Sequence, residues 1–461
     1  MYTKQISEYI DSQKENILRD IARLISIPSV RGQATPDYPF GEMPAKALFE
    51  ALDICREHGF KTTNVHNAIG FADMNDGELE LGILAHADVV PEGDGWDSDP
   101  YTMTINGDNI IGRGTSDDKG PMIAALYAMK AVKDLGIPLS KNVRLIIGSD
   151  EECGSGDLPY YFSEYETPKY SFSPDAEFPL INIEKGRFAP EFSVNVSNDA
   201  HILSIESGIA VNAVPHIAKL ELKDVCECKV KKACEAVSAR TGVTFEVNEG
   251  ENITVIANGK AAHASLPHGG NNALTAMLEM LSSLELDSEL SNILSSLSKL
   301  YPHGDYHGKA IGVARCDDMS GELTMSLDVM KYDGSTLIGN IDCRMPVTST
   351  EENTVVPTVA RLREIGFNVA TPRLTEPHYV DPELPFIKTL LSVYEKHTGL
   401  KGECLAIGGG TYVHDINNGV AFGCILPDLD THMHGANEFM PIKDILMSAK
   451  IFADAIIQIC K

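Results

Sequence analysis

Five short segments of this chain carry residue types that bind metal ions or move protons. They are His86-Ala87-Asp88, GRGTSDDKG at 112–120, SDEECGSG at 149–156, SPDAEFP at 173–179 and THMHGANE at 431–438. Each segment alone has an ordinary structural explanation, such as a surface histidine, a helix-capping aspartate, a solvated acidic turn or a rigid loop between prolines. The combination is what indicates a site.

Together the segments supply two imidazoles, three carboxylates for binding and a spare glutamate. This inventory fits two divalent cations that share one carboxylate and keep open positions for water and substrate. In the 149–156 segment, one glutamate would bind metal and its neighbour would accept a proton from water, because a ligand carboxylate is a poor free base. Imidazole and oxygen ligands suit Zn²⁺, and also Mn²⁺ or Co²⁺.

Asp88 follows His86 by two positions in a segment that continues an apolar run. In an extended chain the two side chains point to the same side. Asp88 is therefore placed to accept the second ring N–H of His86 and to fix the tautomer that binds metal.

The order and spacing of the motifs resemble one known family. The strings H-x-D, G-R-G-x-x-D-x-K-G, D-E-E-x-G, S-P-D and H-x-x-N-E resemble the dinuclear-metal amidohydrolases, which include aminoacylases, glutamate carboxypeptidases, desuccinylases and dipeptidases. Longer strings such as HADVVPEGDGWDSDPY and GKAAHASLP resemble the PepV-type bacterial dipeptidases. The resemblance extends from about residue 20 to the end of the sequence.

The resemblance implies how the ligands divide between the two metal ions. His86 and Asp175 would hold one ion, Glu152 and His434 would hold the other, and Asp117 would bridge them.

The resemblance also assigns the residues beside these ligands. Asp118 is not expected to be a ligand, because the family's ligand stands two residues before the lysine. The resemblance implies a cis peptide bond between Asp117 and Asp118. Glu151 would be the general base, and Asp88 would orient His86.

Three further residues resemble the family's substrate contacts. His263, in the string GKAAH, would contact the reacting carbonyl oxygen, where an imidazole can stabilise developing negative charge. Asn212 and Arg344 resemble further substrate contacts, and the planar fork of an arginine suits a substrate carboxylate. His414 departs from the family pattern, because many relatives have arginine there. This departure leaves the substrate preference open.

The elements that position these residues have the pattern of an α/β protein. The apolar runs Leu79–Ala85 and Val143–Ile147 predict buried strands, and Pro121–Leu135 predicts a helix. Short apolar strands separated by helices predict a mixed, largely parallel sheet with helices on both faces.

The pattern changes after Phe188 and returns near Pro382. The segments FAPEFSVNVS and EGENITVIANGK alternate apolar and polar residues, which predicts antiparallel strands. Helices are predicted at Asn272–Leu286 and Glu352–Ile365. The prediction is therefore one domain in two segments, 1–188 and 381–461, with an α+β domain inserted at 189–380. The family resemblance implies that the two segments form the catalytic domain and that the inserted domain is the lid.

Apolar residues of the first 25 positions repeat at helical spacing and predict one amphipathic helix, which Pro28 ends. This start lacks the features of a signal peptide, and the chain has no apolar run of about 20 residues that would span a membrane. The prediction is therefore a cytoplasmic protein.

The charge of the chain excludes several kinds of partner. The 461 residues carry a formal net charge of −28, which disfavours nucleic acid and anionic membrane surfaces. The ten cysteines include no C-x-x-C pair, and the single C-x-C, at Cys226 and Cys228, lacks a second ligand pair for zinc. The expected state is buried, reduced thiols.

The predicted function is metal-dependent hydrolysis of the peptide bond in dipeptides or very short peptides, with two divalent metal ions per chain. The first alternative is an N-acyl amino acid deacylase of the same family. An alternative from another class is a non-catalytic metal-binding or interaction protein, which would have no need of the spare Glu151. A serine hydrolase is disfavoured because no G-x-S-x-G string occurs. A monomer is predicted, with a dimer as the alternative.

Overall fold

The computed structural model describes residues 2–370 and 374–461. The helices are α1 Thr3–Ser12, α2 Lys14–Ile25, α3 Glu42–Glu57, α4 Lys119–Asp134, α5 Leu158–Phe162, α6 Glu227–Thr241, α7 Ala273–Ser283, α8 Glu289–Leu300, α9 Val356–Glu364, α10 Pro385–Thr398 and α11 Ile442–Cys460. Short 3₁₀ or π turns occupy Glu151–Cys153, Pro267–Gly269, Glu351–Val355 and Tyr412–Asp415.

The strands are β1 Lys61–Val65, β2 Ile69–Asp73, β3 Leu79–His86, β4 Thr104–Asn106, β5 Asn109–Ile111, β6 Asn142–Gly148, β7 Tyr170–Ser173, β8 Ala176–Glu177, β9 Leu180–Glu184, β10 Gly186–Phe188, β11 Glu191–Asn195, β12 Ile202–Ser207, β13 Ala213–Val214, β14 Ile217–Leu222, β15 Thr244–Asn248, β16 Ile253–Asn258, β17 Ala262–His263, β18 Cys316–Asp317, β19 Gly321–Glu322, β20 Thr324–Tyr332, β21 Thr336–Met345, β22 Asn368–Val369, β23 Leu374–Thr375, β24 His378–Tyr379, β25 Cys404–Ile407, β26 Gly419–Ala421, β27 Cys424–Ile425 and β28 Phe439–Pro441.

The chain divides into two compact units. The first unit contains the chain up to Ile183 together with Tyr379–Leu405 and Gly410–Lys461. The second unit contains Glu184–His378 and Ala406–Gly409. β10 pairs with β21 and β23 in the sheet of the second unit, so that unit begins before Phe188.

The sheet of the first unit is mixed. Its strands follow the order β1-β2-β6-β3-β7-β26-β9, and the four central strands β6, β3, β7 and β26 are parallel. The neighbouring pairs at both margins are antiparallel. β3 and β6 come from short apolar runs that are largely buried, as in sheets covered on both faces. The predicted strands at 79–85 and 143–147 are confirmed, as is the mixed α/β fold.

Apolar side chains of the central strands pack alternately on the two faces of this sheet. Ile83 and Leu145 join a core that includes α4 and α11, whereas Leu84 and Ile146 pack with α5 and the Tyr412–Asp415 turn. α4 begins at Lys119, two residues before the predicted start, and its alanine-rich sequence is buried on almost every side. This helix forms the centre of the core and begins next to the acidic motif.

The prediction of one N-terminal helix is wrong, because the chain breaks at Gln13. Gln13 ends α1 and precedes α2, with φ −93° and ψ 1°. Side chains near the break bond locally: the Ser12 hydroxyl donates to Tyr9 O at 2.6 Å, and Asn16 Nδ2 donates to Gln13 Oε1 at 2.8 Å. Such local bonds compete with helix continuation. The apolar period persists because both helices bury a face in the same core.

The second unit contains an antiparallel sheet with helices against it. Its main strand order is β15-β16-β14-β12-β20-β21-β10-β23, and its core includes apolar residues of α6, α7, α8 and α9. The two alternating segments predicted as antiparallel strands contain β11 and β16. The helices predicted at 272–286 and 352–365 are present as α7 and α9. Among the described residues, no helix is both long and apolar enough to cross a bilayer.

A buried carboxylate joins α10 to α11 in the first unit. Asp454 is 6% exposed and accepts from Lys396 Nζ at 2.5 Å and from His397 Nε2 at 3.0 Å. Burial alone would raise the pKa of Asp454, but these two donors hold the pKa at about 2. The ionised carboxylate therefore stabilises the contact between the two helices.

We expect Asp454→Asn to lower the free energy of unfolding by about 2 kcal/mol near neutral pH. The pKa is about 2 in the folded chain and 3.8 without these contacts. The stabilisation is therefore present above about pH 4 and is lost as the pH falls towards 2. Urea titrations at several pH values measure this. The control Asp76→Asn removes an exposed carboxylate near Lys61 and should change stability by less than about 0.5 kcal/mol. Equal losses in both variants would contradict the assignment.

Candidate metal centre

The acidic and imidazole motifs lie at one edge of the sheet of the first unit. β3 ends at His86, β6 leads into the Glu151–Cys153 turn, and β7 leads to Asp175. Because β3, β6 and β7 are parallel neighbours, their carboxyl ends meet at the same edge. Asp117 lies two residues before the start of α4. The segment with His434 lies between β27 and β28, and β28 pairs with β5.

The carboxylate of Asp117 lies between the two imidazoles. Its Oδ1 is 3.0 Å from Nε2 of His86, and its Oδ2 is 2.8 Å from Nε2 of His434. Asp117 is 5% exposed, and its Oδ1 makes no hydrogen bond. A buried carboxylate oxygen without a donor fits a cation ligand.

The side chains around Asp117 form two groups that are each able to hold a metal ion. The first group is His86, Glu151 and Asp175, and the second is Asp117, Glu152 and His434. Within each group the ligand atoms lie within 4.8 Å of one another. His86 Nε2 is 3.3 Å from Asp175 Oδ2, and His434 Nε2 is 3.3 Å from Glu152 Oε2. All five residues expected to bind metal therefore lie in these two groups, and Glu151 is a further member of the first.

The site has more negative charge than its own residues neutralise. Burial, reinforced by the charge of Asp117, raises the pKa of Glu152 to about 7 and that of Asp175 to about 6. Burial raises the pKa of Glu151 well above its ordinary value, and Asp175 and Glu152 add to this effect. Partial burial would lower the pKa of His434, but Asp117 and Glu152 raise it to about 11. The donor set and the excess charge both fit divalent cations.

Asp88 holds the turn that carries both glutamates. Its Oδ1 accepts from the amide of Glu151 and its Oδ2 accepts from the amide of Glu152, both at 3.2 Å. Nδ1 of His86 lies 3.1 Å from the Asp88 backbone carbonyl and 3.4 Å from the carboxylate. The carbonyl is thus the nearer partner of the ring. Both the carbonyl and the carboxylate of Asp88 are thus near the ring of His86, while the carboxylate also accepts from the two amides of the turn.

Asp118 holds the backbone of His86 rather than its ring. Asp118 Oδ2 accepts from the His86 amide at 3.0 Å, and the residue is fully buried. Burial raises the pKa of Asp118 well above its ordinary value. The peptide bond between Asp117 and Asp118 is cis, as the resemblance implied.

Glu438 is a buried carboxylate that accepts hydrogen bonds from several donors of the Arg113–Asp117 segment. It accepts from Arg113 Nη1 at 2.6 Å and from the amides of Gly114 and Ser116 at 3.1 and 2.8 Å. The Ser116 hydroxyl and the Asp117 amide donate to it at 3.0 and 3.3 Å. Glu438 is 0% exposed. Since Glu438 follows His434 by four residues, it joins the segments that carry two of the ligands in the second group.

Asp157 plays a similar part at the end of β6. Its Oδ2 accepts from the amides of Ser149 and Asp150 at 2.6 and 3.1 Å and from the Tyr412 hydroxyl at 2.5 Å. Burial raises the pKa of Asp157 to about 7. A Cβ on Gly148 would lie 1.8 Å from the Tyr412 hydroxyl oxygen, so this packing requires glycine. The network fixes the chain just before Glu151.

The second unit brings Asn212 and His263 together. β13 and β17 pair antiparallel with Ala213 opposite His263, and the Ala264 amide donates to Asn212 O at 2.9 Å. Nδ1 of His263 lies 2.6 Å from the Ser265 hydroxyl.

Arg344 lies in the same unit and is held by neighbouring acceptors. Its Nε and Nη2 donate to Asp342 at 2.5 and 3.1 Å, and its Nη1 donates to Gly408 O at 2.5 Å. Arg344 is 6% exposed. It stands opposite Thr324 in the β20–β21 pair, and the Thr324 hydroxyl donates to Ser265 O at 3.2 Å. The three predicted substrate contacts are thus linked within one region of this unit.

Sequence reasoning did not identify four residues that organise the site: Arg113, Asp118, Asp157 and Glu438. Arg113, Asp118 and Glu438 stood inside quoted motifs but received no role. The sequence does hint at the pairing of Arg113 with Glu438. Both are charged residues within the metal-binding motifs, and a buried charge requires an opposite charge beside it. Asp157 had no such signal, because its donors are two backbone amides and the hydroxyl of Tyr412, which is distant in the sequence.

We expect Glu438→Gln to weaken divalent-cation binding by about 10-fold to 100-fold, because its amide would place a donor against backbone donors of the Asp117 segment. Calorimetric titration of Zn²⁺ or Mn²⁺ into the chelator-treated protein measures this. The matched control is Asp73→Asn, which breaks the paired contact of Asp73 with Arg144 in the same unit. The control should retain cation affinity. Unchanged affinity in folded Glu438→Gln would contradict the positioning role.

Known proteins are similar to this chain over most of its length. The model of peptidase family M20/M25/M40 matches residues 82–458, which include every candidate ligand. The β-Ala-Xaa dipeptidase of Lactobacillus delbrueckii subsp. lactis is 35% identical over 465 residues, which cover 98% of each chain.

Solved structures share the fold at low identity. Human carnosine dipeptidase 1 has a TM-score of 0.61 at 16% identity and covers 100% of this chain and 99% of its own. An M20 family metallo-carboxypeptidase from Sulfolobus solfataricus has a TM-score of 0.60 at 17% identity and covers 96% and 98%. The family resemblance seen in the sequence is confirmed: this chain belongs to peptidase family M20/M25/M40 and is a hydrolytic enzyme of the metallopeptidase class.

Proposed function

We propose that this protein hydrolyses the peptide bond of dipeptides or very short peptides with the aid of two divalent metal ions. The observation that carries the proposal is the position of Asp117, whose two oxygens each contact a different imidazole. The similarity to a protein named as a β-Ala-Xaa dipeptidase, which extends over nearly the whole chain, supports dipeptides as the substrate class.

The proposed ligand assignment divides the cluster at Asp117. His86 and Asp175 would hold one ion, Glu152 and His434 the other, and Asp117 would contribute one oxygen to each. Zn²⁺ is the expected ion, with Mn²⁺ or Co²⁺ as alternatives, since the ligands are imidazole and carboxylate. Bound divalent ions supply Lewis acidity, which makes water more acidic and polarises a carbonyl group.

Glu151 is proposed as the general base. Its side chain lies near His86 and Asp175, so a water molecule beside these ligands is within its reach. Glu151 would accept a proton from this water as the oxygen attacks the scissile carbonyl carbon. It would then donate that proton to the leaving amine. Asp88 supports this role because it holds the amide of Glu151 and so limits where the carboxylate can go.

The second unit is proposed as a substrate-binding lid, as the family resemblance implies. His263 would stabilise negative charge on the carbonyl oxygen, and its contact with Ser265 supports a fixed ring orientation for that task. Asn212 and Arg344 would contact the ends of the substrate. Asp342 and Gly408 O already occupy part of the Arg344 guanidinium, so we propose that Arg344 binds a carboxylate only through its remaining N–H groups.

Replacing Glu151 with glutamine should separate its role from that of its neighbour. We expect Glu151→Gln to lose about 10²-fold to 10⁴-fold in kcat while two metal ions remain bound, because only the proton acceptor is removed. The matched variant Glu152→Gln should instead lose metal. Elemental analysis and dipeptide turnover measure both effects. Loss of metal from Glu151→Gln would reassign Glu151 as a ligand, and full turnover would refute its role as base.

The substrate class can be tested with a panel on the chelated and reconstituted enzyme. We expect hydrolysis of dipeptides, including those with N-terminal β-alanine, and little hydrolysis of N-acetyl or N-succinyl amino acids. Activity should disappear on chelation and return with Zn²⁺, Mn²⁺ or Co²⁺. Faster turnover of the N-acyl compounds would identify a deacylase instead. Failure of every amide substrate with metal bound would overturn the proposed function.

A further inference from the structure

Two cysteines in the second unit form a close pair at the start of α6. Cys226 directly precedes the helix, and Cys228 is its second residue. Their sulfur atoms are 2.7 Å apart, while a covalent S–S bond measures about 2.05 Å. Both residues are exposed. The pair is the one C-x-C string in the sequence.

The pair differs from the other cysteines in its surroundings. Cys55, Cys234, Cys343, Cys424 and Cys460 are buried, and Cys404 is partly buried. Burial raises the pKa of Cys55 to about 12 and that of Cys234 to about 11, so these thiols stay protonated and shielded. The expectation that the cysteines are buried is wrong for four of the ten, because Cys153 and Cys316 are exposed as well.

The two thiols of the pair are not equivalent. The contact with the Cys228 thiol lowers the pKa of Cys226, and the amides of Lys229 and Cys228 add to this effect. The same contact raises the pKa of Cys228. The start of a helix and nearby lysines both favour a thiolate. Cys226 is therefore the nucleophile that reacts first, and Cys228 is the thiol that reacts second.

We propose that Cys226 and Cys228 form a reversible dithiol–disulfide site that reacts with low-molecular-weight disulfides of the glutathione class. The Cys226 thiolate attacks one sulfur of the disulfide, which forms a mixed disulfide and releases one thiolate. Cys228 then loses its proton to solvent and attacks the Cys226 sulfur, which forms the intramolecular bond and releases the second thiolate. Two cysteine thiols and one disulfide thus give one intramolecular disulfide and two small thiols.

Because the cysteine pair lies at the start of α6, we expect its oxidation to change the structure only there. Val230, Cys234 and Val237 anchor the buried face of the helix, whereas Cys226 and Cys228 lie before the first of these anchors and are exposed. Lys231 contacts Glu227 and Glu249 beside the pair. The oxidised form should therefore keep the fold of the unit.

The experiment uses the full-length protein and glutathione disulfide. After exposure, free thiols are alkylated at low pH and the protein is digested with trypsin. The peptide Asp224–Lys229 carries both cysteines between two cleavage sites. We expect it to be two hydrogens lighter, without alkyl groups, and to regain two alkylatable thiols after reduction with dithiothreitol. Cys153 and Cys316 in the same sample serve as single exposed thiols and should form only glutathione adducts.

Two variants separate the proposed steps. Cys228→Ser should accumulate a glutathione adduct on Cys226, because no second thiol displaces it. Cys226→Ser should react more slowly at Cys228 than Cys228→Ser reacts at Cys226. The proposal is overturned if the peptide keeps two alkylatable thiols under conditions that modify Cys153 and Cys316. It is also overturned if both cysteines retain glutathione without forming the internal bond.

Discussion

One carboxylate contacts both imidazoles of the site, and the remaining geometry depends on it. Asp117 reaches His86 with one oxygen and His434 with the other, although these histidines come from distant parts of the chain. Glu151, Glu152 and Asp175 lie around this contact, so negative charge exceeds what two imidazoles can neutralise. Such a cluster is costly to bury without cations. Divalent cations bound between these side chains would offset that cost.

Acidic residues divide into two kinds around this cluster. The acidic residues nearest the histidines have side-chain oxygens whose hydrogen-bonding capacity is not filled by backbone donors, such as Oδ1 of Asp117. Asp88, Asp118, Asp157 and Glu438 instead accept from backbone amides and fix the segments that carry the first kind. Backbone amides are fixed by the strands and turns that contain them. Ligand positions are thereby tied to the sheet rather than to flexible side-chain contacts.

The sequence predicted the helices and strands that local residue patterns determine. It did not predict the contacts that depend on the order of strands in the sheet. The apolar run Leu79–Ala85 sufficed to predict β3, and the resemblance of the motifs to one family sufficed to predict which side chains meet. The bonds from Asp88 to the amides of Glu151 and Glu152 exist because β6 lies beside β3, and no local pattern specifies that neighbour. Gln13 divides a helix whose apolar period is continuous, because side-chain bonds outweigh periodicity there. The exposure of Cys226 and Cys228 likewise depends on where α6 begins.

The strand order also constrains how the protein is made. β26 lies between β7 and β9 in the sheet, yet the ribosome makes it only after the whole second unit. Domains fold as they emerge, at about 5–20 residues per second, so the second unit can close while the first still lacks an interior strand. During that interval the nascent chain carries His86, Asp117 and Asp175 without His434 or Glu438. If the ions divide as proposed, a newly made molecule could acquire its second ion only after the segment with His434, which follows β26 in the sequence, has emerged.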